Sequence, residues 1–409
     1  MDLQEVKEKV IERLNFSDSV VDELVLECID SELKSYLRAC YCELKEWEKM
    51  RKRIFYSLRK LDVLQELVED DSITEIMVNG PHHIFMERDG KITSAQVQFE
   101  SREKLEDVIQ KIVSSTNRVV NESNPIVDSR LEDGSRVNVV LYPIARNGPI
   151  LTIRKFPEEP ITMEKLIVLG SISCEVAEFL RKLVVAKYNI FISGGTGSGK
   201  TTFLNALSNF IPKDERIITI EDSAELQIQE IANLVSLEVR NANVEGNNAV
   251  TIRDLIKSAL RMRPDRIILG EVRDAAAVDL LSAMNTGHDG SLSTGHANSS
   301  EDMLYRLETL VLMGLDIPLS AVRRQIVSAL DIIIHLGRLR DKSRKVLEIS
   351  EVLECQDGEI VLNPLYIFEE TGMTEDKKVI GRLKRTEHAF VHVEKLKRAG
   401  VSENIKDST

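Results

Sequence analysis

The 409-residue sequence predicts an α/β protein with a mostly parallel sheet, preceded by an α+β domain and an N-terminal helical bundle. Three observations predict this order. Short apolar strands alternate with helices from about residue 162, which is typical of a parallel sheet covered on both faces. Short strands and turns dominate residues 61–157, and helical spacing dominates before them. We therefore divide the chain at 1–60, 61–157 and 158–409, in line with the two or three domains that this length predicts.

Residues 1–60 carry apolar side chains at helical spacing on a highly charged background. One set is Val6, Val10, Ile11 and Leu14, and further sets follow to residue 58. The spacing predicts a small helical bundle. It indicates no chemistry, so the segment is interpreted as a packing or interaction appendage.

The next segment, 61–157, mixes helix and strand patterns. Helices are predicted at "LDVLQELVEDDSI" and "SREKLEDVIQKIVSST", and strands at "TEIMVNG", "HIFMERDG", "ITSAQVQF", "SRVNVVLYPI" and "ILTIRKF". The turn signals "NGP" and "RDG" separate the first three strands. "FPEEPIT" at 156–162, with two prolines and two acids, predicts a linker.

Residues 158–409 alternate regularly between strands and helices. The predicted strands are "NIFISGG", "RIITIED", "DRIILGE", "SLSTGHA" and "DIIIHLGRL". The predicted helices are "KTTFLNALSNFI", "IRDLIKSALRM", "DAAAVDLLSAMN", "SEDMLYRLETLVLMG" and "PLSAVRRQIVSAL". A strand hairpin, "KVLEISEVLE" with "EIVLNPLYIF", and a final helix, "EHAFVHVEKLKRAG", complete the chain.

Composition narrows the class of protein. The formal net charge of −13 argues against a surface that wraps nucleic acid, and no direct nucleic-acid partner is expected. The runs "GRLKR" and "GRLRDKSRK" are interpreted as solvated surface charge. Five cysteines without a Cys-x-x-Cys pair argue against a zinc or disulfide framework. No signal-peptide core or spanning helix is evident, so the protein is expected in the cytosol, where it could dock onto a membrane partner.

The stretch "GGTGSGKTT" matches the P-loop pattern, with a predicted strand before it and a predicted helix after it. Its glycines let backbone N–H groups point at phosphate oxygens, and the helix N-terminus adds a positive dipole end. The lysine neutralises the β- and γ-phosphates, and the threonine after it is placed for Mg²⁺. The predicted nucleotide-binding residues are Gly194, Gly195, Thr196, Gly197, Ser198, Gly199, Lys200, Thr201 and Thr202.

Two acidic groups follow predicted strands. Glu271 ends "RIILGE", while Glu221, Asp222 and Glu225 follow "RIITI". In a parallel sheet these strand ends face the same crevice as the P-loop. Such an acid holds magnesium or activates water, although surface charge or helix capping is the alternative for any single one.

Four ordered stretches, "GGTGSGKTT", "IEDSAEL", "RMRPDRIILGEVRD" and "NTGHDGSLSTGHANS", resemble the secretion and pilus-assembly ATPases of type II and type IV systems. "IMVNGPHHIFMERDGKI", "DSRLEDGSRVNVV", "NGPILTIRKF" and "VEGNNAVTIRDL" are similar to the CpaF-type branch, the ATPases of tight-adherence (Flp) pili. The resemblance runs from about residue 62 to 340. It implies a RecA-like P-loop ATPase domain that uses ATP and Mg²⁺ and assembles as a homohexamer.

The resemblance also implies roles for single residues. Glu225, the last glutamate of the aspartate box, would activate water, and Glu271, at the Walker B acid, would hold Mg²⁺ together with Thr201; the two acids could exchange roles. The family brings arginines from the preceding domain onto the nucleotide, and the matching positions here are Arg130, Arg136 and Arg154. Arg261, Arg263 and Arg273 are expected near the site or a subunit boundary. A salt bridge is the alternative for each arginine.

The stretch 285–299 contains His288 and His296, eight residues apart. A metal site is disfavoured because a predicted turn and strand separate them and Mg²⁺ prefers oxygen ligands. A Ser–His nucleophile is disfavoured because phosphoryl transfer at a P-loop needs no covalent intermediate. The resemblance implies that His296 senses the γ-phosphate, with a structural histidine as the alternative; for His288 both interpretations stay open. Gly295 and Asp274 depart from the family pattern, and a looser strand is expected at Gly295.

Three functions follow. The first is a hexameric motor at the inner face of the cell membrane that powers tight-adherence pilus assembly through platform proteins. The second is a type IV secretion or conjugation ATPase that moves protein or DNA. The third, a nucleotide-gated scaffold with little hydrolysis, predicts loss of a catalytic acid or of the lysine, and both are present.

Overall fold

The computed structural model describes residues 3–14, 21–37, 42–88, 90–156, 160–240 and 249–401. The chain divides into two compact units, Met1–Pro157 and Glu158–Thr409. Residues 157–159 of the expected linker, Asp89 of the "RDG" turn and "VEGNN" at 244–248 lie outside the described residues. The separation of 1–60 from 61–157 stays a prediction.

The first unit begins with three helices, α1 Leu3–Leu14, α2 Asp22–Tyr36 and α3 Leu44–Arg59. Each is amphipathic, and their apolar faces meet in a small core that includes Val10, Ile29 and Ile54. The helical prediction for this segment is therefore confirmed within the described residues.

A six-stranded antiparallel sheet follows in the described part of this unit, in the order β3-β2-β1-β6-β5-β4. Its strands are β1 Ile73–Asn79, β2 Ile84–Arg88, β3 Lys91–Ser94, β4 Ile126–Arg130, β5 Arg136–Val140 and β6 Ile150–Arg154. The helices are α4 Gln65–Glu69, shorter than predicted, and α5 Arg102–Ser115, which Ser101 caps. The alternating pattern did not reveal β4.

The second unit contains a nine-stranded mixed sheet in its described residues, in the order β15-β14-β13-β12-β7-β11-β10-β8-β9. The six strands from β12 to β9 are parallel, and β13 to β15 add an antiparallel extension. The strands are β7 Ile190–Gly194, β8 Ile217–Glu221, β9 Leu234–Glu238, β10 Arg266–Leu269, β11 Leu292–Gly295, β12 Ile332–Arg338, β13 Arg344–Gln356, β14 Glu359–Met373 and β15 Val379–Arg385. The predicted α/β class with a mostly parallel sheet is confirmed.

Helices cover both faces of this sheet and enclose two apolar cores. They are α6 Met163–Val168, α7 Cys174–Val185, α8 Lys200–Ser208, α9 Ile252–Ala259, α10 Ala276–Met284, α11 Ser300–Leu312, α12 Leu319–Ala329 and α13 Glu394–Arg398. In the described parts of both units, no helix combines the length and apolarity needed to cross a membrane.

The prediction of a final helix over 387–400 is largely wrong, because only Glu394–Arg398 is helical. The preceding residues are held outside a helix by a buried carboxylate. Glu351 on β13 is fully buried and accepts hydrogen bonds from the backbone N–H groups of Val391 and His392. The Tyr188 hydroxyl donates to the His392 carbonyl. These tertiary bonds outweigh the local helical pattern.

Candidate active site

The site is built at the carboxyl edge of the parallel strands. The P-loop follows β7, the acidic loop with Glu225 follows β8, Glu271 follows β10 and His296 follows β11. The register aligns these ends, since Gly295 pairs with Ser193 across β11 and β7. Consecutive strand ends therefore deliver the predicted groups to one place, as parallel pairing requires.

The P-loop begins at a position that only glycine can occupy. Gly194 has φ = +156°, and a Cβ there would lie 2.5 Å from the Leu336 carbonyl oxygen and 2.6 Å from Ser198 Oγ. Gly199, with φ = +93°, precedes the first turn of α8 in the left-handed region. The predicted nucleotide-binding residues 194–202 thus form one continuous loop-and-helix start.

Lys200 points back over this loop. Its ammonium donates to the carbonyls of Gly194 and Gly195 at 3.1 and 3.0 Å, and it lies 3.2 Å from His296 Nδ1. Burial lowers the pKa of Lys200, with a further lowering from neighbouring arginines, while Glu271 opposes the shift. The cation is therefore held in a desolvated position beside the loop, ready to meet negative charge.

His296 connects Lys200 to Glu271. Burial lowers its pKa, and the neighbouring cations lower it further against the opposing charge of Glu271, so the imidazole is neutral at neutral pH. Because Nδ1 faces an ammonium, which only donates, Nδ1 must accept and the proton lies on Nε2. Nε2 is 3.1 Å from Glu271 Oε1.

Glu271 has one occupied and one open oxygen. Its Oε2 accepts from Arg273 Nη2 at 2.7 Å, and Arg273 Nη1 lies 3.7 Å from Asp222 Oδ2. Its Oε1 is buried and, within the described residues, has no hydrogen-bond partner. The close approach of His296 Nε2 does not meet hydrogen-bond geometry, so this oxygen has room for another partner. A buried, unsatisfied carboxylate oxygen is costly unless a cation or donor reaches it.

The loop that carries Glu225 is anchored from two sides. Glu221 Oε1 accepts the backbone N–H groups of Glu225 and Leu226 at 2.8 and 3.0 Å. Asn205 on α8 accepts the N–H of Gln227 at 2.9 Å. Burial raises the pKa of Glu221 to about 7. These contacts give Glu221 a positioning function for the loop, on which Glu225 is half-buried.

A cavity of about 510 Å³ lies beside these groups, between Arg273, His296 and α11. Arg306 of α11 lines it. The charge of Arg306 contributes, after burial, to lowering the pKa of both Lys200 and His296. No sequence motif pointed to Arg306, because only the helix packing brings it there.

Several expected residues lie elsewhere. His288 precedes β11 and its Nδ1 is 3.2 Å from the Ala283 carbonyl oxygen, so it lies at the opposite end of that strand from His296. Arg261 and Arg263 precede β10, at the amino end, whereas Arg273 follows it at the carboxyl edge. Of the three arginines expected near the site or a subunit boundary, Arg273 therefore lies at the site, and for Arg261 and Arg263 the subunit boundary stays a prediction. In the described ranges, no cluster of three or more His, Cys, Asp or Glu is arranged for a metal.

Both departures from the family pattern have local explanations. A Cβ at Gly295 would lie 2.9 Å from Phe191 Cε1 and 3.0 Å from Met303 Cε. These two side chains fill the space of a larger residue, and β11 stays paired on both sides rather than loosened. Asp274 Oδ1 accepts the N–H of Ala276 at the start of α10.

The three arginines expected from the preceding domain form one row in the sheet of the first unit. Arg136 on β5 pairs in register with Arg130 on β4 and with Arg154 on β6. Arg154 pairs on its other side with Glu75. The sequence separates these residues by up to 24 positions, and antiparallel pairing brings them side by side.

Sequence reasoning missed two further arginines at the P-loop. Arg344 Nε donates to the Gly197 carbonyl at 2.9 Å, and Arg338 Nη1 would lie 3.9 Å from a Cβ on Gly197. Both belong to the run "GRLRDKSRK", which was interpreted as solvated charge. Both side chains are exposed, as that interpretation expects, but their position beside the P-loop was not predicted.

The fold and the loop together define a P-loop ATPase-type domain. The chain belongs to the family "Type II/IV secretion system protein", whose family model matches residues 57–405. It is 34% identical over 331 residues to Rv3659c, a candidate conjugal transfer protein of Mycobacterium tuberculosis, covering 79% of this chain and 93% of that protein. It is 32% identical over 329 residues to the type IV secretion system protein VirB11 of Bartonella henselae, covering 71% and 92%.

A solved structure with a similar fold is the pilus retraction motor PilT with bound ADP. The TM-score is 0.51 at 20% identity, over 74% of this chain and 82% of that one. The secretion-ATPase resemblance is thereby confirmed at the level of the family and fold. The CpaF-type assignment remains an expectation.

Proposed function

We propose that this protein hydrolyses ATP and couples hydrolysis to export or filament assembly by a secretion machinery. One observation carries the proposal. Lys200, His296 and Glu271 form a chain of close contacts from the P-loop to the carboxylate that ends β10. A phosphate loop alone would bind nucleotide, whereas this chain connects the loop to an acid able to act in hydrolysis.

Magnesium fits the residues present. Mg²⁺ prefers oxygen donors, and Glu271 offers a buried carboxylate oxygen without a hydrogen-bond partner in the described residues. The Thr201 hydroxyl, in the first turn of α8, supplies the second donor of the set. When bound with ATP, the ion would neutralise phosphate charge.

The remaining roles belong to the chain itself. Lys200 binds the β- and γ-phosphates after release from the loop carbonyls, and His296 stays between Lys200 and Glu271. Glu225 orients the attacking water, on a loop that Glu221 and Asn205 hold in place. Arg130, Arg136 and Arg154 meet the charge that develops on the transferred phosphoryl group.

The machinery that we favour is a tight-adherence pilus, served by a homohexamer in the cytoplasm that docks on inner-membrane platform proteins. The similarity of "IMVNGPHHIFMERDGKI" and "DSRLEDGSRVNVV" to CpaF-type sequences supports it. The second candidate is a type IV secretion or conjugation system, which the likeness to Rv3659c and VirB11 supports equally. Neighbouring genes for a prepilin and platform proteins would favour the first, and a relaxase with channel subunits the second.

Phosphate release from ATP tests the enzymatic part. We expect the wild type to turn over and Glu271→Gln to lose about a thousandfold, with ADP affinity retained. Glu178→Gln, on the surface of α7, is the matched control and should behave as wild type. Equal, slow release by wild type and Glu271→Gln would sink the hydrolysis proposal and return the protein to a nucleotide-gated scaffold.

The biological part is tested by capture. A tagged Glu271→Gln protein, held with ATP, is recovered from solubilised membranes of its host, and its mass is measured by light scattering. Hexamers with a pilus platform protein are the expected result. Recovery of conjugation-channel subunits instead would overturn the pilus assignment and support the second candidate.

A further inference from the structure

Two arginines stand opposite each other where β12 ends and β13 begins. Arg338 and Arg344 are the last register pair of this antiparallel ladder. Directly opposed residues place their side chains on the same face of the sheet, and like charges in that position destabilise the pair. Both side chains are exposed. An arrangement of this kind is stabilised when an anion lies between the two cations.

The pair lies along the phosphate-binding loop. Arg344 Nε donates to the Gly197 carbonyl at 2.9 Å, and its Cδ lies 3.3 Å from the position of a Cβ on Gly199. Arg338 Nη1 lies 3.9 Å from the position of a Cβ on Gly197. At Gly199 the missing side chain leaves room for the Arg344 side chain, and Arg338 lies within ordinary contact distance of the loop at Gly197.

The hairpin that carries the pair is fixed by its other charged residues. Asp341 accepts from the backbone N–H and hydroxyl of Ser343 and from the N–H of Val379. The hydrogen bond from the Ser343 hydroxyl, followed by that from the Val379 N–H, lowers the pKa of Asp341 to about 2. Arg340 forms an ion pair with Glu370. The nearby carboxylates are therefore engaged elsewhere, and within the described residues neither Arg338 nor Arg344 forms an ion pair with a carboxylate.

We propose that Arg338 and Arg344 form an anion site that binds the α- and β-phosphates of the bound nucleotide. The inference rests on the proposed nucleotide binding by the P-loop. Backbone N–H groups of such a loop cradle the α- and β-phosphates, and Gly197 and Gly199 are the loop residues that the pair approaches. Arginine suits this role because its planar fork binds phosphate oxygens in two-point geometry.

The proposal predicts a specific kinetic signature. ATP and ADP share the α- and β-phosphates, so the pair stabilises ground state and transition state alike. Loss of an arginine should then weaken ADP binding and raise KM for ATP, while kcat at saturating ATP stays within about twofold. In the arginine variants, the affinity for AMP should fall less than the affinity for ADP. The affinity for adenosine, which has no phosphate, should not change.

The decisive variant is Arg338→Gln, because within the described residues Arg338 makes no hydrogen bond or ion pair that holds the P-loop. We expect the Kd for ADP, measured by titration calorimetry on the full chain, to rise about tenfold, and about a hundredfold when Arg344→Gln is added. Arg340→Gln, on the same turn but paired with Glu370, is the matched control and should bind ADP as wild type does. The melting temperature without nucleotide checks that each variant is folded.

An unchanged ADP affinity in the folded double variant overturns the proposal. So does a fall in kcat with ADP affinity retained, which would assign the pair to the transition state. Lys200→Ala separates this test from the proposed function. If wild type and Lys200→Ala both fail to bind ADP, nucleotide binding itself is wrong; if only Lys200→Ala loses binding and the arginine variants keep it, only the two-arginine site is wrong.

Discussion

The two groups of arginines in this protein are assembled alike but differ in their surroundings. The row Arg130, Arg136 and Arg154 crosses three strands of an antiparallel sheet, in register with Glu75. The pair Arg338 and Arg344 closes a hairpin beside the P-loop. The comparison teaches that strand register, rather than spacing along the chain, concentrates charge. We expect the two groups to have different tasks, with the row acting on the transition state and the pair on bound nucleotide.

The largest effect on kcat is expected for Arg136, at the centre of the row. Arg136→Gln should lower kcat about a thousandfold, because an arginine that meets the developing phosphoryl charge contributes on this scale. ADP affinity should stay within about twofold, the reverse of the Arg338→Gln signature. Steady-state phosphate release and calorimetry measure the two quantities. Arg102→Gln, an exposed ion pair of the same unit, is the control. If Arg136→Gln instead raises the Kd for ADP and leaves kcat unchanged, the row binds nucleotide and does not act on the transition state.

The next effect tests the connection that His296 makes between Lys200 and Glu271. His296→Ala should lower kcat about a hundredfold and leave ATP binding intact, since it breaks the connection from Lys200 to Glu271. His288→Ala, at the other end of β11, should keep kcat near the wild-type value. Unchanged turnover in His296→Ala would assign the histidine a structural role.

A smaller effect is expected where the Glu225 loop is anchored. Asn205→Ala removes the acceptor for the Gln227 N–H, and we expect about a tenfold loss of kcat without a change in ADP affinity. Asn205→Asp keeps the acceptor and should restore most of the activity. If Asn205→Asp is as impaired as Asn205→Ala, the loop is not held through this hydrogen bond.

The smallest effect concerns stability rather than turnover. Burial raises the pKa of Glu221 from 4.5 to about 7. Between these two pH values the folded protein keeps a proton on Glu221 that the unfolded chain has released. Stability from this group is therefore fully present below pH 4.5 and is lost as pH rises through 7, by at most about 3 kcal/mol. From pH 5 to pH 8 the melting temperature of the wild type should fall relative to that of Glu221→Gln, because only the wild type has the titrating group. A constant difference would show that Glu221 stays ionised throughout.

Much of the site follows from local pattern. The P-loop, Glu271 and His296 each come at the end of a predicted strand, and parallel pairing brings the ends of such strands to one edge of the sheet. The features that the sequence did not predict have a different cause. The short α13 and the contacts of Arg344 depend on partners far away in the chain, as with Glu351, which holds Val391 and His392 outside a helix.

By itself the sequence determined the α/β class, the phosphate loop and the acids at the strand ends. The sequence determines these features because the spacing of apolar residues and the positive φ angles that glycine permits are local properties of the chain. Only the tertiary structure decided the tautomer of His296, the open oxygen of Glu271, the row of three arginines and the pair at the P-loop. Each of these depends on register or burial, which arise when distant segments pack and water is excluded.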